Sequence, residues 1–169
     1  MKKLFIVTFI LFLISNPAFA GNLNLGAKAS IYNPSVPGAS PTIMYGIVAD
    51  YDVNQMIHAR GSVEYATYSI KDTSYSLMPV TVDIIAHLFP GFFVDPYFGG
   101  GVGYYKYTAG SVETSTTGLQ AVAGISASIG AFYAGFEAKY YIPDASKTSE
   151  GQLSYGGYMT GAYGVTIPF

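Results

Sequence analysis

Residues 78–88, MPVTVDIIAHL, alternate strictly between two sets of side chains. One set is apolar throughout: Met78, Val80, Val82, Ile84, Ala86 and Leu88. The other set is mixed: Pro79, Thr81, Asp83, Ile85 and His87. Successive side chains of a β-strand point to opposite faces, so the stretch predicts a strand with one apolar face and one face that carries Asp83 and His87.

The same two-residue period recurs in seven further segments. They are residues 23–31 (LNLGAKASI), 42–52 (TIMYGIVADYD), 57–69 (IHARGSVEYATYS), 95–107 (DPYFGGGVGYYKY), 118–129 (GLQAVAGISASI), 132–142 (FYAGFEAKYYI) and 161–169 (GAYGVTIPF). Most runs are close to the ~9–11 residues that a tilted strand needs to cross the hydrocarbon of a bilayer. Eight is also an even number, as in single-chain bacterial barrels.

The composition favours the same fold. Charged residues make up 11% of the chain, whereas about 25% is usual in a soluble domain. Beyond the N-terminal segment, no run reaches the ~18 apolar residues of a membrane-spanning helix. The sequence therefore predicts an all-β fold, a transmembrane antiparallel up-and-down β-barrel of eight strands. The absence of cysteine excludes a disulfide scaffold and thiolate metal sites.

Charged side chains gather on the second face of the predicted strands. They are Lys28, Asp50, Arg60, Glu64, Asp83, Glu137 and Lys139. A secreted barrel with an apolar lumen would show the opposite arrangement, so we expect the uncharged face to contact lipid and the charged face to line the lumen. Buried charges need partners, and an eight-stranded barrel is just wide enough for side chains to fill it. These residues predict a network of ion pairs that plugs the barrel; a narrow polar path for water or ions is the alternative.

The first twenty residues resemble an export signal. Lys2 and Lys3 precede the apolar run of residues 4–14, and Ala18 and Ala20 form a small-x-small cleavage pattern. We therefore expect a signal peptide at residues 1–20 and a barrel domain at residues 21–169; a retained anchor is the alternative.

The chain beyond residue 20 has six basic and ten acidic residues, a net charge of −4. It has no basic patch, so nucleic acid is not an expected partner.

The predicted connections fall into two alternating groups. The more polar ones are residues 32–41 (YNPSVPGASP), 70–75 (IKDTSY), 108–116 (TAGSVETST) and 143–154 (PDASKTSEGQLS). The others, mostly shorter, are residues 52–55 (DVNQ), 89–96 (FPGFFVDP) and 129–131 (IGA). Outer-membrane barrels have short periplasmic turns and longer outside loops, so both termini are expected on the periplasmic side. Phe92 and Phe93 are expected at the membrane interface.

The Pro-Tyr-x-Gly-x-Gly-x-Gly run that begins at Pro96, together with residues 78–89 and the terminal YGVTIPF, resembles a known family. This family is the small eight-stranded outer-membrane barrels of the OmpA-like and opacity or porin type. The resemblance implies a monomeric protein of the Gram-negative outer membrane, in contact with lipid and lipopolysaccharide, of structural or porin-like type. We expect no peptidoglycan-binding domain after the barrel, so the resemblance does not imply a cell-wall anchoring role.

The end of the chain carries a further part of this resemblance. Tyr163, Val165, Ile167 and Phe169 resemble the terminal signal that the barrel-assembly machinery reads during insertion. A lipid-facing last strand that closes on the first strand would also need these residues. The two interpretations are compatible, since a recognition strand can later become a closing strand.

The sequence predicts no catalytic residue, no cofactor and no metal site. His58 and His87 are the two histidines; both lie on the inward face, and neither belongs to a His-x-Ser pattern. Asp83 and His87 are four residues apart on one strand, about 13 Å at extended rise, which is too far for shared metal ligation. Binding to a host surface, phage or lipopolysaccharide through the outside loops is the alternative function. A lipopolysaccharide-modifying enzyme is a weaker alternative.

Overall fold

The computed structural model describes residues 23–70, 73–129, 132–145 and 151–161. They form eight strands: β1 Leu23–Asn33, β2 Thr42–Asp52, β3 Ile57–Ile70, β4 Thr73–His87, β5 Val94–Ala109, β6 Val112–Ile129, β7 Phe132–Ile142 and β8 Gln152–Gly161. Each strand pairs antiparallel with the next, and β8 pairs with β1, so the barrel is closed. The predicted fold class is confirmed. No helix in the described residues is long and apolar enough to span a membrane.

The pleat of β4 separates two environments, as its alternation predicts. Val82 and Ile84 point outward and are 57% and 54% exposed. Thr81, Asp83 and Ile85 point inward and are almost fully buried. The inward glycines of β5 permit this close packing, since a Cβ on Gly101 would collide with the Val82 carbonyl and the Asp83 carboxylate.

The outward face of the barrel is almost free of charge. Among the described strand residues, the register and the period of two place charged side chains outward at two positions, Lys106 and Glu113. These two form an ion pair of 2.8 Å near the β5–β6 turn, beyond the outward Tyr104. The band of uncharged outward residues therefore ends near this turn.

The two ends of the barrel differ. We call the opening where β1 begins the N-terminal mouth; residues 53–56 and 88–93 connect strands there. We call the opposite end the hairpin end, because the β3–β4 and β5–β6 connections there are two residues long. The prediction of loops at residues 70–75 and 108–116 is wrong, since most of these residues continue the ladders. Gly110, with φ of 58°, supports the tight β5–β6 turn.

The predicted start of the last strand is also wrong. The strand was expected at residues 161–169, but β8 begins at Gln152 and its described part ends at Gly161. The register gives the reason, because Gly161 already pairs with Phe132, the first residue of β7. The four residues of the predicted assembly signal, Tyr163, Val165, Ile167 and Phe169, lie outside the described residues, as does the predicted signal peptide.

Candidate functional site in the barrel lumen

Seven charged side chains predicted for the lumen lie inside the barrel and contact one another. They are Lys28, Asp50, Arg60, Glu64, Asp83, Glu137 and Lys139, each at most 6% exposed. Their ion pairs join them in one line of alternating sign, in the order Asp50, Arg60, Glu137, Lys28, Glu64, Lys139, Asp83. We call this line the charge chain.

Arg60 joins the first two carboxylates of the charge chain. Its Nε donates a hydrogen bond to Asp50 Oδ2 at 2.9 Å, and its Nη1 donates to Glu137 Oε2 at 2.8 Å. The guanidinium also lies over the rings of Tyr97 and Tyr158, at 5.3 and 4.8 Å from their centroids. The planar guanidinium suits this position, because it can serve two carboxylates and stack on aromatic rings at once.

Two lysines complete the line. Lys28 Nζ lies 2.7 Å from Glu137 Oε1 and 3.1 Å from Glu64 Oε2. Lys139 Nζ lies 3.1 Å from Asp83 Oδ2, and Gln120 Nε2 donates to the other Asp83 oxygen at 2.5 Å. Every carboxylate of the charge chain thus has a cationic neighbour, as burial requires.

The lumen toward the hairpin end is filled by a different set of side chains, which we call the tyrosine cluster. Its members are Tyr32, Met44, Ala66, Tyr68, Leu77, Tyr105 and Tyr141. The ring centroids of Tyr105 and Tyr141 lie 5.9 Å apart in an edge-on contact. Tyr141 also links the two sets, because its hydroxyl donates to the Glu64 carboxylate at 3.3 Å.

The N-terminal mouth contains a cavity of about 550 Å³. His58 and His87 both line it, and their ring centroids are 4.1 Å apart. His87 Nδ1 lies 2.7 Å from Asp95 Oδ2. His87 Nε2 has no hydrogen-bond partner among the described residues. The described residues therefore orient an imidazole but place no hydroxyl nucleophile against it.

Sequence reasoning did not find the cluster around His58. Asp52 and His58 are cross-strand partners on either side of the turn at residues 53–56. His58 Nδ1 lies 3.5 Å from Asp50 Oδ1 and 3.4 Å from Asp52 Oδ1. The spacing along one strand excludes only a shared site of Asp83 and His87, whereas the neighbours of both histidines lie across strands or beyond a turn. The signal that could have found this cluster is an Asp-x-Asp run followed, after one tight turn, by an inward histidine.

The fold of the chain was compared with those of known proteins. No family model matches the sequence, and no curated protein is significantly similar to it. Among solved structures, Neisserial surface protein A matches with a TM-score of 0.65 and 16% identity, over 83% of this chain and 97% of that chain. The N-terminal β-barrel domain of Pseudomonas aeruginosa OprF matches with a TM-score of 0.57 and 16% identity, over 83% and 98%.

A third match agrees with these. The outer membrane protein OprG of Pseudomonas aeruginosa matches with a TM-score of 0.60 and 13% identity, over 84% of this chain and 94% of that chain. The chain therefore has the fold of the small eight-stranded outer-membrane barrels. This confirms the resemblance that the glycine-rich strand and the alternating segments carry.

Proposed function

We propose that this protein is an integral barrel of the bacterial outer membrane with a structural role, its lumen closed by side chains. The observation that carries the proposal is the difference in polarity between the outward and inward faces of the barrel strands. The outward face is apolar or small over most of its height, while the inward face buries the seven charged side chains of the charge chain. This pattern suits a wall between acyl chains and a packed lumen.

The dense packing of buried side chains in the lumen supports a structural barrel over an open pore. The charge chain and the tyrosine cluster occupy successive levels, and their side chains are buried. Small barrels of eight strands are commonly filled in this way. The structures that this fold matches include outer-membrane proteins, which supports the location.

The location is tested by expressing the full chain in a Gram-negative host and separating the two membranes. We expect the protein in the outer-membrane fraction, with a gel mobility that shifts after boiling. Recovery in the soluble periplasmic fraction would exclude the proposal. The plug is tested separately, in a planar bilayer, where the purified wild type should give no discrete conductance steps. Frequent long-lived openings would instead establish a pore.

Surface binding through the hairpin end is a second candidate function. The β5–β6 ladder continues to Ala109 and Val112, past the outward ion pair of Lys106 and Glu113. Val112 at its tip is 64% exposed, so this hairpin extends beyond the band of uncharged outward residues.

The second candidate is tested on whole cells. A variant in which residues 108–114 are replaced by a two-residue turn should lose adhesion to host cells if the hairpin binds them. Cells expressing the wild type at equal level are the control. Equal adhesion of both strains, or none by either, would remove this candidate.

A further inference from the structure

We propose that the N-terminal mouth holds a binding site for one divalent transition-metal ion. Asp50, Asp52 and His58 supply three ligand atoms, and water from the cavity completes the coordination. The strand register creates the site, because it sets His58 opposite Asp52 and puts Asp50 on the same inward face two residues earlier.

The spacing of the ligand atoms suits a metal better than a hydrogen bond. One atom from each of Asp50, Asp52 and His58 lies within 4.8 Å of the other two. The two distances from His58 Nδ1, 3.5 Å to Asp50 Oδ1 and 3.4 Å to Asp52 Oδ1, exceed the usual hydrogen-bond range. Ligands about 2.1 Å from a tetrahedral ion stand roughly 3.4 Å apart.

Unsatisfied buried atoms at the mouth give an independent argument. Asp50 Oδ1 and His87 Nε2 have no hydrogen-bond partner among the described residues, although Asp50 is 5% and His87 7% exposed. Buried polar atoms are normally paired. A metal ion bound by Asp50, Asp52 and His58 would satisfy Asp50 Oδ1.

His87 lies beside these three ligands and not among them. Asp95 Oδ2 contacts Nδ1 at 2.7 Å, which holds the ring and directs the lone pair to Nε2. The ring of His87 lies beside that of His58, with centroids 4.1 Å apart.

The charge at the mouth also favours a cation. Among the described residues, three carboxylates face the cavity, those of Asp50, Asp52 and Asp95. One guanidinium, that of Arg60, faces it too, but Arg60 binds the far oxygen of Asp50 and is shared with Glu137. The open cavity of about 550 Å³ provides a route of entry.

The donor atoms select the class of ion. Imidazole nitrogens with carboxylate oxygens suit Zn²⁺ and its first-row neighbours, whereas Ca²⁺ and Mg²⁺ prefer oxygen-only sites. We therefore expect Zn²⁺ or Co²⁺ to bind, and a large excess of Ca²⁺ not to displace either ion.

The test uses the full chain, exported and processed by the cell and purified in detergent without a histidine tag. Titration with Co²⁺ should produce the visible absorption of a tetrahedral nitrogen–oxygen site and saturate at one ion per chain, and Zn²⁺ should abolish the signal. His58→Gln and Asp52→Asn should each weaken binding at least tenfold. Glu113→Gln, a carboxylate change at the hairpin end, should bind as the wild type does.

Two results would overturn the proposal. One is a wild type that shows no saturable absorption with Co²⁺. The other is unchanged affinity in His58→Gln and Asp52→Asn, with folding confirmed by the gel shift on boiling. If either variant fails to fold, the wild-type spectrum and its competition by Zn²⁺ decide the question.

Discussion

Different kinds of side chain pack the two halves of the lumen. Toward the N-terminal mouth, the charge chain fills the barrel with groups that need partners of opposite sign. Toward the hairpin end, the tyrosine cluster fills it mainly with rings and aliphatic groups. The contrast shows two ways to fill one barrel. Removing a member of an ion pair leaves its partner unsatisfied, whereas truncating a side chain in an apolar cluster leaves a cavity.

The largest effect is expected in the charge chain. Arg60→Ala should lower the free energy of unfolding by about 3–5 kcal/mol, because it leaves the buried carboxylates of Asp50 and Glu137 without their shared cation. Urea unfolding in detergent micelles measures the change. A loss below about 1 kcal/mol, the value of an exposed pair, would show that Arg60 is solvated and that the charge chain is not a buried network.

A core substitution in the tyrosine cluster gives the second prediction. Leu77 is fully buried among tyrosines, so Leu77→Ala should cost about 3 kcal/mol through the cavity it leaves. The same unfolding experiment applies. Leu77→Met is the matched control and should cost less than about 1.5 kcal/mol, since it preserves volume. An equal loss of unfolding free energy in the two variants would mean that side-chain packing does not stabilise the tyrosine cluster.

The third prediction concerns the outward face, which both halves share. Val82 lies near the centre of β4 and is 57% exposed. Val82→Arg should destabilise the protein by roughly 2–4 kcal/mol in lipid vesicles, as for a charge near the bilayer midplane. Thr108→Arg, outward but beside the Lys106–Glu113 pair, is the control and should cost ~0–1 kcal/mol. If both variants unfold alike, acyl chains do not cover Val82.

The smallest effect is expected for Lys106→Ala. Its ion pair with Glu113 lies at the surface of the hairpin end, with 36% and 61% of the two side chains exposed. Exposed pairs contribute little because water and salt screen them. The unfolding midpoint should stay within experimental error of the wild type, in clear contrast to Arg60→Ala. A comparable shift of the unfolding midpoint in Lys106→Ala and Arg60→Ala would show that burial does not distinguish the two ion pairs.

Local sequence pattern predicted the faces of the strands well and their ends less well. Alternation is a property of each strand, so the inward positions of Asp83 and Lys139 can be read from the chain alone. The polar composition of residues 70–75 and 108–116 suggested loops, yet these residues extend two hairpins. Hairpin length depends on pairing with the neighbouring strand, which composition does not encode. The start of β8 at Gln152 does not follow from composition for the same reason, since its position is set by its pairing with β7.

The sequence by itself determined that this chain forms a barrel with an uncharged exterior and a charged interior, because a period of two assigns every side chain to one face. The tertiary structure alone decided which charges meet. Lys28 and Glu137 stand 109 positions apart in the chain and 2.7 Å apart in the lumen. Closure of β8 on β1 and the register of each ladder fix such distances. The same register brings His58 beside Asp50 and Asp52 at the N-terminal mouth, a juxtaposition that spacing along one strand does not reveal.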